Sequence, residues 1–306
     1  MRFTALTFSL SSGTSYRTGI DLGGTKIEIA VLDEANHIVL RDRIPTEADK
    51  GYDHVLSNIR HLFAETEKKF PDGIKSVGMG TPGAISLSTG KLKNSNTQCM
   101  NNQPLQEDVN RVLQVPVRIQ NDANCFALAE AIMGAGRGYD SVFGVIMGTG
   151  CGGGIVMHQK FHGGLQRIGG EWGHMSIDPA GPECYCGRRG CTETYISGGG
   201  LENRFFEHSG MRWPAEKIWS EYEQENPVTA PAMNQFFTAF GRSMGNLINI
   251  LDPEVIVMGG GLSNQPQLYT TGLKHVAKNI FGNDFRTKVV SHQLGDSAGV
   301  IGAALL

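Results

Sequence analysis

The chain has 306 residues, 40% of them hydrophobic and 19% charged, which is long enough for two domains and ordinary for a globular protein. Its formal net charge of −3 offers no broad basic field, so nucleic acid or an anionic membrane is not expected as a mainly electrostatic partner, although a local anion site is compatible with it. No apolar run approaches the roughly 20 residues that cross a bilayer.

Residues 1–17 carry one short, serine-broken apolar stretch. They make a poor secretory signal and read as an extension ahead of the first strand, with a cytoplasmic setting and reduced cysteines as the expectation. In "RTGIDLGGTKIEIAVLDEANHIVL" an apolar strand runs into Asp21, turns at Gly23-Gly24 and returns as an alternating strand through Ile27, Ile29 and Val31. A helix follows over "GYDHVLSNIRHLFAETEKKF", then strands over "IKSVGMGTPG" and "VPVRIQ". A second helix opens in "NDANCFALAEAIMG", with Asn121 and Asp122 at its entrance. The first design then recurs in "FGVIMGTGCGGGIVMHQKFHG", where Val145-Ile146-Met147 meets Gly148-Thr149-Gly150 and Ile155-Val156 leads out. Two strand–glycine turn–strand units far apart suggest an internal duplication and two related halves. Helical residues are expected from Leu201 to about Phe240. The last clear unit, "FGRSMGNLINILDPEVIVMGGGLSN", is a helix, a break at Asp252-Pro253 and a buried strand ending in three glycines. Alternating helices and apolar strands imply α/β layers with parallel pairing.

Glycines at strand ends let backbone N–H groups converge on an anion without Cβ obstruction. The first turn offers Gly19, Ile20, Asp21, Leu22, Gly23 and Gly24, together with the Thr25 hydroxyl and the Lys26 ammonium. The second offers Gly148, Thr149, Gly150, Cys151, Gly152, Gly153, Gly154 and Ile155. The third, Gly260-Gly261, is expected to open a helix whose N-terminus favours negative charge. Three such turns suggest a nucleotide phosphate site, with Asp21 placed to hold Mg²⁺ through water; tight hairpins without any ligand are the alternative. The pattern is not a Walker A loop, and the formal G-x-G-x-x-G match at Gly148 does not follow the first strand of a dinucleotide unit.

Cys184, Cys186 and Cys191 form C-x-C-x4-C, with His174 ten positions earlier, a donor set suited to tetrahedral Zn²⁺. A disulfide would leave one thiol over, and a nucleophilic cysteine would need a base that nothing singles out. Cys99, Cys125 and Cys151 read as small buried or half-buried thiols. Asp122 stands where a strand-to-helix junction can aim a carboxylate into a cleft, and equally where an N-cap is wanted. Glu171 and Glu193, taken alone, are ordinary surface charges.

The motifs "GIDLGGTK", "PGAIS", "NDANC", "GTGCGGG", "GEWGH", "CYCGRRGCTE" and "LDPEVIVMGGGLSN", in this order from about Thr18 to Leu306, resemble the ROK family of bacterial sugar kinases and repressors. The resemblance implies an α/β, two-domain actin-like ATPase fold (ribonuclease H-like, hexokinase-type) with a cleft between its domains. Residues 18–121 and a returning C-terminal helix at about 296–306 would form one domain, and residues 122–295 the other. It implies ATP-dependent phosphorylation of a hexose 6-hydroxyl, with Asp122 as catalytic base and Asn96, Asn121, Glu171, His174 and Glu193 as the sugar pocket. Zn²⁺ would lock the loop so that both glutamates face the sugar, while the second ring nitrogen of His174 reaches a sugar hydroxyl or a carboxylate. "KNSNT" and "NQPL" resemble the fructokinase or manno(fructo)kinase branch, so fructose is the expected acceptor. An N-acetylglucosamine, N-acetylmannosamine or glucose kinase is the alternative, and a sugar-responsive regulator without its DNA-binding part is the alternative of another class. A homodimer is implied as well.

Overall fold

The computed structural model describes residues 15–71, 73–95, 97–282 and 284–306. Asn96 and the expected extension up to residue 14 lie outside the described residues. The chain divides into two compact units, one running to Cys125 and taking in Gly299–Leu306, the other Phe126–Ala298. The first begins its sheet at Tyr16. The chain passes between the units inside a helix after Cys125 and again at Gly299, rather than at 121/122 and about 296.

In the first unit, β1 (Tyr16–Leu22), β2 (Lys26–Leu32) and β3 (Ile38–Pro45) form an antiparallel run. Helix α1 (Tyr52–Glu67) leads to β4 (Ile74–Thr81), which is parallel to β1. A small hairpin, β5 (Ala84–Ile85) with β6 (Leu92–Lys93), precedes α2 (Leu105–Leu113) and β7 (Val117–Asn121), parallel to β4. The sheet order is β3-β2-β1-β4-β7. Its core joins Ile20 and Leu22 of β1 and Ile27 and Ile29 of β2 to Ile59, Leu62 and Phe63 of α1. The edge strand β3 is mostly exposed, carries Arg41, Asp42 and Arg43 and ends in Pro45, features that discourage a further strand from pairing.

Helix α3 (Asp122–Met133) starts in the first unit and continues into the second. There β8 (Ser141–Met147), β9 (Cys151–Met157) and β10 (Lys160–Phe161) repeat the antiparallel run. The single turn α4 (Glu193–Ile196) is followed by α5 (Gly198–Ser209), α6 (Ala215–Glu223) and α7 (Ala230–Leu251). Then come β11 (Val255–Gly259), α8 (Thr271–Ala277) and β12 (Lys288–Ser291), and last α9 (Ala298–Ala304). The order β10-β9-β8-β11-β12, with β8, β11 and β12 parallel, reproduces the first sheet in both sequence and sense. That identity of topology is what a duplication predicts.

The helical stretch expected to about Phe240 is three helices. Gly210, in the left-handed region at φ 70°, ends α5, and Pro214 precedes the start of α6. Helix α7 ends at Asp252, also left-handed at φ 46°, ahead of Pro253.

Candidate functional site

In the first unit the β1–β2 turn holds its own shape. The Gly23 N–H donates to the Lys26 carbonyl at 3.0 Å, and the Thr46 hydroxyl donates to the Gly23 carbonyl at 2.7 Å. Gly24 and Thr25 are exposed at its tip. Lys26 Nζ lies 3.3 Å from Glu28, whose buried carboxylate also takes Arg41 Nε at 2.5 Å. Not all of the expected anion-binding stretch faces outward. Ile20 and Leu22 are core side chains, and a Cβ on Gly19 would run into the Val300 carbonyl and the Ala304 backbone of α9. Gly19 is therefore a packing residue: with Gly78 beside it in β4, it lets α9 lie directly on the sheet. Asp21, Gly23, Gly24, Thr25 and Lys26 are left as the usable face of the turn.

Asp21 is raised to about 7, by burial first, then by the charges of Asp122 and Glu28, against the opposing Lys26. Gly299 allows α9 to start beside it, since a Cβ there would sit 2.9 Å from Asp21 Oδ2. Asp122 is also raised, burial being the main cause and the Ala123 N–H the chief opposing one. The N-cap question resolves on its neighbour. Asn121 Oδ1 accepts the Ala123 N–H at 2.9 Å, the bond expected of an N-cap, and Asn121 Nδ2 donates to the Gly83 carbonyl at 3.1 Å. The Asn121 side chain thus ties the helix entrance to the Pro82-Gly83 turn rather than standing clear for a sugar. Asp122 Oδ1 shares the Ala123 N–H at 2.8 Å, and Oδ2 has no hydrogen bond among the described residues.

In the second unit the β8–β9 turn carries no charge of its own. Gly148 donates to the Gly150 carbonyl at 3.0 Å and accepts the Gly198 N–H at 2.7 Å. Of the expected residues, Gly148 meets no atom where a Cβ would stand, whereas Gly153 is packed against Phe143, Trp172 and Gly170. Cys151 is buried and its thiol is held well above the ordinary range by burial and by Glu193. Gly260, at φ 81°, is pressed against Met147, and Gly261 opens only the single 3-10 turn Gly261–Asn264. The helix N-terminus expected after β11 is therefore not formed. Gly198 and Gly199, which sequence reasoning passed over, bring the start of α5 onto the turn at the Gly148 and Thr149 carbonyls. Three glycines opening a helix were the available signal.

Glu171 and His174 sit on one 3-10 turn, anchored where Trp172 Nε1 donates to the Gly152 carbonyl at 2.8 Å. His174 Nδ1 lies 3.6 Å from Cys184 Sγ, and Cys186 and Cys191 Sγ are 3.6 Å apart, too far for a disulfide. All four donor atoms lie within 4.8 Å of one another. Bonds of about 2.0–2.3 Å to a tetrahedral ion require edges of roughly 3.3–3.8 Å, so both 3.6 Å pairs fit Zn²⁺. Burial pushes the Cys191 thiol up to about 12. Burial also opposes ionisation of Cys186, but hydrogen bonds from Arg188 outweigh it and bring that thiol down to about 6.

Two side chains here depart from expectation. His174 Nε2 meets the Tyr185 hydroxyl at 2.9 Å, not a carboxylate, with the two rings edge to face. Tyr185 is 80% exposed; burial and then Glu193 lead the causes that raise its phenol to about 12, Glu171 adding to them. Glu193 accepts the Cys151 N–H through Oε2 at 2.8 Å, so one of its oxygens serves the glycine turn.

The model of the ROK family matches residues 17–306. The N-acetyl-D-glucosamine kinase of Yersinia pseudotuberculosis serotype O:3 (strain YPIII) is 37% identical over 302 residues, covering 94% of this chain and 97% of that protein. The N-acetyl-D-glucosamine kinase of Haemophilus influenzae (strain 86-028NP) is 35% identical over 299 residues, covering 94% and 98%. Among solved structures, the ROK hexokinase from Thermus thermophilus superposes with a TM-score of 0.87 at 29% identity, covering 95% of this chain and 97% of that one. A ROK family glucokinase from Streptomyces griseus, in complex with glucose and AMPPNP, gives 0.74 at 27%, covering 95% and 98%. With the two mixed sheets, these likenesses carry the α/β actin-like ATPase fold of hexokinase type.

Proposed function

Because the chain belongs to the ROK family as a sugar kinase, we propose N-acetylglucosamine as its acceptor and ATP as its donor. The observation that carries the acceptor is near full-length similarity to N-acetyl-D-glucosamine kinases of several genera. It favours the alternative over the fructose expected from "KNSNT" and "NQPL". The reading places the protein in the cytoplasm. Among the described residues no helix is long and apolar enough to cross a membrane.

Asp122 is the proposed base. Asn121 takes the capping duty, which leaves Asp122 Oδ2 to align the acceptor 6-hydroxyl and receive its proton as oxygen bonds to the γ-phosphorus and ADP departs. Its raised pKa keeps it more basic than an ordinary aspartate. Each glycine turn offers backbone N–H groups suited to a phosphate, the one in the first unit with Lys26 adding charge. Mg²⁺, when bound, offsets phosphate charge, and Asp21 is the residue that would hold it through water. Zn²⁺ would be held by His174, Cys184, Cys186 and Cys191 and fix the segment that presents Glu171 to the sugar.

A panel of N-acetylglucosamine, N-acetylmannosamine, glucose, mannose and fructose in a coupled ADP assay tests this. N-acetylglucosamine is expected to give the highest kcat/KM. Fructose in first place would favour a fructokinase instead, and no turnover on any sugar would overturn the kinase reading in favour of a sugar-responsive regulator.

A further inference from the structure

Glu193 stands two residues after Cys191 and at the first position of α4, inside the segment assigned to the sugar, yet its Oε2 accepts the Cys151 N–H of the β8–β9 turn at 2.8 Å. A Cβ on Gly150 would lie 2.7 Å from the same oxygen, so the carboxylate rests directly beneath the turn. The turn has few other supports. It has its own Gly148–Gly150 bond and the Gly198 N–H bonded to the Gly148 carbonyl, and no charged side chain other than Glu193 donates to it or accepts from it among the described residues. Without an acceptor at this point, the Cys151 N–H would lose its partner and the N–H groups at the turn would lose their common direction.

We propose that Glu193 is a positioning residue for the nucleotide: through Oε2 it sets the Gly148–Cys151 turn in the conformation that binds the ATP phosphates. This rests on the kinase reading above and extends it, because the residue expected to serve only the sugar serves the donor as well. Oε1, which has no hydrogen bond among the described residues, remains for a sugar hydroxyl. One carboxylate thus links the metal-bearing segment, the sugar and the phosphate-binding turn.

The test is binding of AMP-PNP with Mg²⁺ to the full chain by calorimetry, with no sugar present, for the parent protein, Glu193→Gln and Glu193→Asp. Glutamine keeps an oxygen acceptor at the same reach. Aspartate keeps the charge but withdraws the oxygen by roughly one 1.5 Å carbon–carbon bond. The expected result is a nucleotide Kd about tenfold weaker or more in E193D, where the acceptor is withdrawn from the Cys151 N–H, and within about threefold of the parent in E193Q, where an acceptor is kept. Circular dichroism and zinc content establish that both variants fold, and aspartate is the milder choice should truncation to alanine unfold the loop. Parent-like nucleotide binding in E193D, with only the sugar KM raised, overturns the proposal and leaves the kinase reading intact. A parent protein that binds no nucleotide overturns both.

Discussion

The two sheets share one strand order, yet their glycine turns are built on different principles. The β1–β2 turn is supported from within its own unit: it closes through Gly23 and Lys26 and through Thr46, just beyond β3, and carries Asp21 and Lys26, with Glu28 behind them. The β8–β9 turn is uncharged and borrows its support from α5 and from Glu193 in the cysteine-bearing segment. A duplicated frame can therefore divide labour. One copy keeps the charge, and the other accepts an inserted, metal-suited loop and comes to depend on it.

The largest effect should come from the charged side of that contrast. Asp122→Ala is expected to lower kcat by about 10²–10⁴-fold, the usual contribution of a positioned base, with little change in Tm because Asn121 retains the cap. Single-turnover kinetics beside thermal melts would check it. A large Tm loss with kcat preserved would return Asp122 to the role of a cap.

The dependent side breaks differently. Cys186→Ser should remove zinc from the purified protein, lower Tm by several degrees and raise the sugar KM, since it takes one of four donors from the segment that carries Glu171 and His174. If Glu193 is seated by the same segment, nucleotide affinity should fall too, whereas a change in the first turn would leave zinc content untouched. Elemental analysis with calorimetry separates these outcomes.

A third prediction concerns how each sheet receives a helix. Gly19→Ala would force a methyl into the α9 backbone, where no flexible side chain can yield, so a loss of about 1–3 kcal/mol in denaturant unfolding is expected. Gly144 in β8 meets Ala127 of α3 in the same way, and its alanine variant should cost a similar amount. A neutral Gly19→Ala would restore that glycine to the anion-binding set.

These residues also show how far local patterns reach. The strands, the turn after Asp21 and the turn after Met147 are legible because apolar runs and glycine pairs are local signals. The donor set His174, Cys184, Cys186 and Cys191 is legible because C-x-C-x4-C with a histidine close by suits a tetrahedral metal site and little else. The assignment of individual glycines is what fails. Gly19 and Gly153 look like phosphate-binding residues in sequence, but they are small because a helix or an aromatic ring lies against them, and that is set by distant chain. The helix after Gly260 fails for a related reason: partial charge at a helix N-terminus needs several turns, and the chain there forms only one 3-10 turn before Gln265. The Asn121 cap depends on how two adjacent polar side chains share one N–H, and the Glu193 bond on a rotamer that reaches a turn 42 residues away, neither of which spacing reveals.

The smallest and most specific effect concerns Asp21. Its carboxyl is raised to about 7, by burial and then by Asp122 and Glu28, whereas an unfolded aspartate titrates near about 4. Between those two values the unfolded chain releases its proton first, so Asp21 contributes stability that is full below about pH 4 and is lost as pH climbs through about 7. Asp21→Asn removes the titration. Its Tm should vary less between about pH 5 and 8 than that of the parent, the two curves converging or crossing at the alkaline end. Binding of nucleotide with Mg²⁺ should strengthen over the same interval in the parent, as the carboxylate ionises and can hold the ion, and stay flat in the variant. Parallel Tm curves for the two proteins would mean that Asp21 ionises like an exposed aspartate, and the contrast between a charged turn and a borrowed one would then rest on Lys26 alone.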